Sequence, residues 1–248
     1  MIIHFSNTEL NHLTFQLQER WERSAAYIEE RDQVWDIEMA KVLARQDRMW
    51  NGEIYTLEEI VPAAGERITL RVSTSEYRDF IFRNVKGESY IASRFGQDYL
   101  FRGMALDCLP VTQDGKFVFG IRADWAGNGT HPVGMIGGTM NKDEMEIHTF
   151  EDVRQFMGKE IAEETDLPCL IEDLKFYGLL YQEGFFTFMF TFRLPLHSGE
   201  IGAFHRDGEF SRLVAWTRQE VLITHLPATR GFRRWQARVD QVEASLFG

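Results

Sequence analysis

Three glutamates in the second half of the chain have the spacing of a metal site. Glu160, Glu163 and Glu164 stand at positions i, i+3 and i+4 of a helical pattern. Residues at these intervals lie along one edge of a helix, where their carboxylates can share a divalent cation. Because every candidate ligand is an oxygen, the pattern favours Mg²⁺ or Mn²⁺. A cation held there can bind a substrate diphosphate.

The helix that carries these glutamates is predicted to start at Thr149, whose hydroxyl can cap it, with Asp152 three residues further on. Its expected end is Asp166, in a left-handed cap conformation. At about 100° per residue, the glutamates fall beside the apolar stripe rather than opposite it; this stripe comprises Phe150, Val153, Met157 and Ile161. Crowded carboxylates at a half-buried edge need a cation or several donors, which favours a metal site over a solvated acidic face.

The N-terminal residues 8–48 are predicted to be helical. A first stripe, with Thr8 as its cap, consists of Leu10, Leu13, Leu17 and Trp21. A second consists of Trp35, Met39, Val42 and Leu43. Packing helices or a dimerisation arm explain these stripes better than a cofactor site does.

Strand patterns follow the N-terminal helices, with helices placed between and after them. Predicted strands cover residues 54–57, 67–72, 100–112, 116–121, 174–180, 185–194 and 213–217. Turns are expected at residues 113–115 and 182–184. Two final helices are expected at residues 218–222 and 232–246. Mixed strands with interspersed helices predict an α/β or α+β fold.

Composition excludes several classes of protein. The 248 residues carry a net charge of −11, which argues against a general nucleic-acid-binding surface. Two cysteines imply no disulfide framework, and the N-terminus has no pattern of a secretory signal, so a cytoplasmic protein is expected. The most apolar stretch, residues 185–196, is too short for a membrane helix, so no membrane partner is expected.

The acidic segment resembles the signature of the Nudix hydrolases, G-x5-E-x7-R-E-U-x-E-E-x-G-U, where U is a bulky aliphatic residue. In this alignment Glu160 anchors the match, Glu163-Glu164 match directly, and Glu151 is the early glutamate. The remaining matches are Lys159 at the arginine position, Ile161 and Leu167 at the aliphatic positions, and Gly137-Gly138 as the opening glycines, preceded by Pro132 and Gly134.

Three departures from the signature alter its loop and its ends. Twelve residues separate Gly138 from Glu151, where the family has five, so the alignment requires a seven-residue insertion. Taking Glu144 as the early glutamate restores the glycine spacing but destroys the spacing to the helix. Lys159 replaces an arginine and loses its bidentate geometry, and Asp166 replaces the terminal glycine.

The resemblance implies a Nudix-like α/β/α sandwich with a mixed sheet over residues 100–248, preceded by a helical and strand extension over residues 1–99. It also implies a Mg²⁺- or Mn²⁺-dependent pyrophosphohydrolase that cleaves a nucleoside diphosphate derivative. A segment at residues 48–52, followed by Glu76-Tyr77-Arg78-Asp79, resembles the N-terminal region of members that hydrolyse UDP-sugars. The expected substrate is therefore a nucleotide sugar, and a homodimer is possible.

The same resemblance assigns roles to individual residues. Glu160, Glu163 and Glu164 are the expected metal ligands and catalytic residues, and Glu209 is the loop candidate for a general base. Substrate-binding roles fall to Arg122, Gly137 and Gly138, and structural roles to Glu151 and Lys159.

Two alternatives remain open from the sequence. The altered signature fits a nucleotide-binding or regulatory module on a Nudix fold that hydrolyses little or nothing. The N-terminal stripes fit a purely structural partner protein. Other chemistries lack their motifs, since the chain has no Gly-x-Ser-x-Gly elbow, no phosphate-binding loop and no zinc-ligand spacing.

Overall fold

The secondary structure mixes strands and helices along most of the chain. The computed structural model describes residues 2–19, 22–44, 49–63, 67–123, 133–204, 208, 210–224 and 239. Its α-helices are α1 Asn7–Asn11, α2 Ala25–Ala44, α3 Tyr77–Lys86, α4 Glu88–Arg94, α5 Phe150–Glu164 and α6 Arg218–Thr224. Short 3₁₀ helices cover Gln97–Tyr99, Ile171–Asp173 and Ser198–Ala203.

Ten strands form two sheets. They are β1 Ile2–Ile3, β2 Leu13–Leu17, β3 Glu53–Ala63, β4 Arg67–Glu76, β5 Gly103–Cys108, β6 Phe117–Arg122, β7 Val133–Gly134, β8 Lys175–Gln182, β9 Phe185–Thr191 and β10 Phe210–Trp216. Seven strands are hydrogen-bonded in the order β1-β8-β9-β5-β3-β4-β2, and three in the order β10-β6-β7. The larger sheet is mixed, because β2 runs parallel to β4 whereas β3 runs antiparallel to it. The predicted mixed α/β class is confirmed.

The first predicted helix is wrong. Ser6, rather than Thr8, caps the five-residue helix α1, and residues 13–17 then form strand β2 alongside β4. Leu13 is buried in that strand while Leu17 is 52% exposed, so the leucines do not form one buried helical face. Tertiary pairing with β4 overrides the helical spacing here. The second predicted helix is confirmed as α2.

Both predicted turns are present. The backbone N–H of Thr112 donates to the carbonyl of Lys116 across residues 113–115, and Gly115 has a φ of 78°. At the second turn, Glu183 and Gly184 have φ values of 52° and 82°. Two successive positive φ values are typical of the type I′ turn that joins antiparallel strands.

Helix α5 starts as predicted but ends differently. The Asp152 carboxylate accepts hydrogen bonds from the Thr149 backbone at 2.8 Å and the Thr149 hydroxyl at 3.1 Å. The last α-helical residue of α5 is Glu164, and the hydroxyl of the next residue, Thr165, donates to the carbonyl of Ile161. Among the described non-glycine residues only Glu183 has a positive φ, so Asp166 does not adopt the left-handed conformation expected of it.

The chain divides into two compact units that are discontinuous in sequence. Unit 1 comprises residues 1–105, 139–153 and 180–187, and unit 2 comprises residues 106–138, 154–179 and 188–248. The predicted domain boundary at residue 99 stays a prediction. The predicted helix at residues 232–246 lies outside the described residues apart from Val239. None of the described helices has the length and apolar content needed to cross a membrane.

Unit 1 is built around a buried carboxylate. Asp79, in the first turn of α3, is fully buried and accepts hydrogen bonds from Tyr27, Ser75 and the backbone of Glu76. The Arg31 guanidinium from α2, only 3% exposed, lies 3.2 Å from the same carboxylate. Because Tyr27 and Arg31 belong to α2 and Asp79 belongs to α3, this buried polar network joins the two helices.

A second set of contacts explains the upstream motif at residues 50–52 and 76–79. The backbone N–H groups of Tyr77 and Arg78 donate to the Gly52 carbonyl and the Asn51 side chain, at 3.1 and 3.0 Å. The Trp50 indole covers Gly52 so closely that a β-carbon there would lie 1.3 Å from the ring. Asn51 and Gly52 therefore supply hydrogen-bond acceptors for the free backbone N–H groups in the first turn of α3.

Replacing Asp79 with asparagine should destabilise the protein by about 2 kcal/mol, because the buried donors around Asp79 would lose a charged acceptor. Arg31 would keep its ion pairs with Asp32 and Glu76, both at 2.9 Å. The matched control is Asp36→Asn on the exposed side of α2, which should change stability by no more than about 0.5 kcal/mol. Urea denaturation measures both. Equal stabilities of the two variants would contradict a supporting role for the Asp79 network.

Candidate metal centre

The candidate metal centre lies at the C-terminal end of α5, and its glutamates and the adjacent Gly137 and Gly138 belong to unit 2. Phe156, Met157 and Ile161 are buried and anchor this part of the helix. Since Glu160, Glu163 and Glu164 follow the same helical turns, their degree of burial depends on their angle to this apolar stripe. Glu160 is half-buried, Glu163 is exposed and Glu164 is buried.

Glu164 is the most constrained of the three glutamates. Only 8% exposed, it accepts a hydrogen bond of 2.8 Å from the backbone N–H of Gly137. Burial raises the pKa of its carboxyl to about 8, against 4.5 in an exposed glutamate. The negative charges of Glu160 and Asp107 raise this pKa further, whereas the Gly137 hydrogen bond and the positive charge of Arg122 lower it.

Glu160 and Glu163 present oxygens to the same region of the helix surface. One carboxylate oxygen of each lies within 4.8 Å of the other. Oxygen ligands of a shared Mg²⁺ lie up to about 4.2 Å apart, a separation that small side-chain rotations can reach. The donor set, which consists of carboxylate oxygens, therefore fits Mg²⁺ or Mn²⁺.

Lys159 lies beside these carboxylates. Its ammonium is 3.3 Å from Glu163 and 5.7 Å from the centre of the Phe156 ring. Lys159 thus contacts Glu163, one turn further along α5, and its structural role stays a prediction. A cation at Glu163 has to compete with this ion pair.

The two glycines predicted to bind substrate lie against the acidic helix. Residues 136–138 run alongside β5, with backbone hydrogen bonds from Leu106 to Gly138 and from Cys108 to Ile136. Gly137 has a φ of 140°, and a β-carbon there would lie 2.2 Å from the Leu106 carbonyl. A β-carbon on Gly138 would lie 3.0 Å from a carboxylate oxygen of Glu160. The absence of a β-carbon therefore lets Gly137 pack against the backbone of β5 and lets Gly138 approach Glu160 closely.

The other predicted site residues have different surroundings. Arg122, at the end of β6, packs over the Phe210 ring at 5.8 Å and contributes positive charge near Glu164. Glu151 is exposed in the first turn of α5, in unit 1. Glu209 lies outside the described residues. The roles of all these residues stay predictions.

Sequence reasoning missed two contributors to this region. One is Asp107, whose negative charge raises the pKa of Glu164. Strand alternation could have identified it, because Met104, Leu106 and Cys108 are the buried side chains of β5 and Asp107 lies between two of them. The other is the backbone N–H of Gly137, which no pattern of side chains reveals.

Comparison with known proteins gives a limited result. No family model and no curated protein matches the chain. Among solved structures, the crystal structure of the Nudix hydrolase RenU from M. smegmatis is 18% identical, with a TM-score of 0.37, over 59% of this chain and 88% of that chain. The solution structure of the E. coli ORF135 protein is 17% identical, with a TM-score of 0.34, over 58% and 91%. Likenesses at these TM-scores support no argument about function.

The raised pKa of Glu164 predicts a pH dependence of stability in the metal-free protein. Unfolded chains release this proton near pH 4.5, but the folded protein keeps it up to about pH 8. Between these values, rising pH favours unfolding, by up to about 1.4 kcal/mol per pH unit. Stability from this group is therefore complete below the unfolded pKa and is lost as pH rises through the folded pKa.

Urea denaturation in EDTA, at several pH values between about 5 and 8, tests this linkage. Glu164→Gln should remove the contribution, so the variant should gain stability relative to the wild type as pH rises. The exposed Glu172→Gln serves as a control and should follow the wild type. Parallel pH profiles for the wild type and Glu164→Gln would show that the Glu164 carboxyl titrates normally.

Alanine at the two glycines should have unequal effects. Gly137→Ala should cost about 2 kcal/mol or more, because its φ is unfavourable and the new β-carbon meets backbone. Gly138→Ala should cost less than about 1 kcal/mol, because the end of the flexible Glu160 side chain can move. Thermal or urea denaturation measures both, and equal costs would contradict the proposed close approach at Gly137.

Proposed function

We propose that the protein is a Mg²⁺- or Mn²⁺-dependent hydrolase of the Nudix type that cleaves the diphosphate linkage of a nucleoside diphosphate derivative. A nucleotide sugar is the proposed substrate. One observation carries the proposal. Carboxylate oxygens of Glu160 and Glu163 lie within 4.8 Å of each other, at the same end of the helix as the buried Glu164, which accepts a hydrogen bond from the Gly137 backbone. An oxygen-only donor set of this kind suits a hard cation that binds phosphate oxygens.

Each glutamate has a distinct part in this proposal. Glu160, Glu163 and the deprotonated Glu164 would hold the cation. When bound, the cation neutralises charge on the diphosphate and lowers the pKa of an attacking water. Glu164 is buried and is oriented by the Gly137 backbone, so it would be the buried ligand of the cation at the helix end.

Further residues of the chain complete the proposed site. Arg122 supplies positive charge for a phosphate group, and Gly137-Gly138 permit close approach of the substrate. Glu209 is the proposed general base, which removes a proton from the attacking water. Glu151 and Lys159 are proposed to support the helix rather than to contact the substrate.

A nucleotide-binding module without hydrolysis is the second candidate. Its support comes from two features of the metal-free protein. The carboxyl of Glu164 has a pKa of about 8, so it is largely protonated at neutral pH, and Glu163 is paired with Lys159 at 3.3 Å. Both features oppose metal binding and would weaken catalysis.

The hydrolase proposal predicts that Glu163→Gln abolishes turnover without unfolding the protein, since Glu163 is 57% exposed. A panel of nucleoside diphosphate derivatives, assayed for metal-dependent phosphorus products, provides the activity. We expect the variant to lose at least about a hundredfold in kcat/KM, in keeping with the several kcal/mol that a catalytic metal supplies.

The matched control for this experiment is Glu172→Gln, another exposed glutamate of unit 2, which should retain full activity. Circular dichroism establishes that both variants fold. Tight nucleotide binding with no product in excess Mg²⁺ or Mn²⁺ would replace the hydrolase with the binding module. If the protein neither binds nor cleaves any of these nucleotides, both candidate functions are overturned.

A further inference from the structure

Unit 1 contains a polar cavity whose described lining does not include the acidic helix. The cavity has a volume of about 320 Å³, and its described lining residues all belong to unit 1. This volume is within the range of small-molecule sites. Only one of the nine described lining residues, Leu100, is aliphatic, so an apolar ligand does not fit.

An irregularity of the sheet places a carboxylate at the cavity wall. Strands β3 and β4 pair regularly except between Leu57 and Glu59, where the register shifts and leaves Glu58 without a partner on β4. Such a bulge redirects a side chain and is frequent beside functional sites. The extra residue in this strand is therefore the lining residue Glu58.

Hydroxyl groups orient the Glu58 carboxylate. The Ser73 hydroxyl donates to Glu58 Oε1 at 2.5 Å, and the Thr56 hydroxyl lies 2.8 Å from that of Ser73. Thr56 and Ser73 are buried, at 4% and 5% exposure, so their hydroxyls hold the Glu58 carboxylate from its buried side. Only Oε1 takes part in the hydrogen bonds that Glu58 makes with described residues, which leaves Oε2 for a ligand.

Two arginines supply positive charge to the same cavity. Arg23 donates to the Asp98 carbonyl at 2.9 Å and stacks over the rings of Tyr27 and Tyr99, which holds its guanidinium in place. Arg102 is anchored through its carbonyl, which accepts a hydrogen bond from Leu57. Within the described ranges, the Arg102 guanidinium makes no ion pair, and neither does Glu58.

Arg102 and Glu58 carry opposite charges, and each can bind a ligand group because neither forms an ion pair with a described residue. The carboxylates of Glu19 and Asp98 also line the cavity. A guanidinium binds phosphate or carboxylate through two parallel hydrogen bonds. A carboxylate and the hydroxyl of Thr74, another lining residue, accept hydrogen bonds from ligand hydroxyls. The complementary ligand carries both an anionic group and several hydroxyls.

We propose that this cavity binds a sugar phosphate, with its phosphate on Arg102 and Arg23 and its hydroxyls on Glu58 and Thr74. The site is independent of the proposed hydrolase function, because no described residue of the cavity is a proposed metal ligand. It gives the N-terminal part of the chain a binding role of its own.

Isothermal titration calorimetry of the full chain in EDTA tests the proposal, since EDTA removes any metal-dependent binding or turnover. The probes are glucose 1-phosphate, galactose 1-phosphate and glucose 6-phosphate, with free glucose, inorganic phosphate and glycine, as a free amino acid, for comparison. We expect at least one sugar phosphate to bind more tightly than either glucose or inorganic phosphate.

Variants locate the binding. Arg102→Gln should weaken binding of the sugar phosphate by about tenfold or more, since a bidentate pair is lost. Glu58→Gln should weaken it several-fold while leaving inorganic phosphate unaffected. The control Arg67→Gln, an exposed arginine of β4 outside the cavity, changes the net charge equally and should bind as the wild type does.

Nuclear magnetic resonance of the wild type gives a measurement that needs no variant. The backbone amide signals of Ser73 and Thr74 should shift when the sugar phosphate is added in EDTA, while those of Glu160 and Glu163 should not. Circular dichroism shows whether each variant folds.

Several outcomes would overturn the proposal. These are no binding of any of the sugar phosphates up to millimolar concentration, equal binding by the wild type and a folded Arg102→Gln, or inorganic phosphate binding as tightly as the sugar phosphates. Preferential binding of a free amino acid would also overturn it, since Glu58 would then pair with an ammonium. None of these results bears on metal-dependent hydrolysis, which requires the cation that EDTA removes.

Discussion

Burial of one carboxylate at the end of α5 is the constraint on which the candidate metal centre depends. Glu164 loses hydration there, and among the described residues one hydrogen bond, from the Gly137 backbone, offsets that loss. A buried acid with so little compensation keeps its proton to high pH unless a cation stabilises its charged form. The local arrangement thus links protonation, cation binding and the close approach of the glycine segment in one place.

Unit 1 treats buried charge differently. Asp79 is more deeply buried than Glu164, but it has the Arg31 countercharge and three hydrogen-bond donors. This network joins two helices and is satisfied internally. Two kinds of acidic residue are thus present: Asp79 has a countercharge within the fold, whereas Glu160, Glu163 and Glu164 crowd together at one end of α5. Crowding of this second kind is typical of sites that bind a cation.

Local patterns in the sequence were reliable where short-range chemistry decides the structure. The start of α5 follows from Thr149 and Asp152, and both predicted turns follow from residues that tolerate positive φ. The same reasoning failed at residues 8–17, where leucines at helical spacing form a short helix and a strand. Strand β2 exists because β4 pairs with it from 55 residues further along the chain (Leu13 with Ile68), and no local pattern reports such a partner.

The sequence by itself determined the class of the fold and the acidic helix. It also determined where the glutamates lie relative to the apolar stripe, because helix periodicity and capping are properties of neighbouring residues. Only the tertiary structure decided that Glu164 is buried against Gly137, that Lys159 pairs with Glu163, and that Glu58 and Arg102 line one cavity. These contacts join backbone and side chains from distant segments, and their strength depends on burial, which the order of residues alone does not specify.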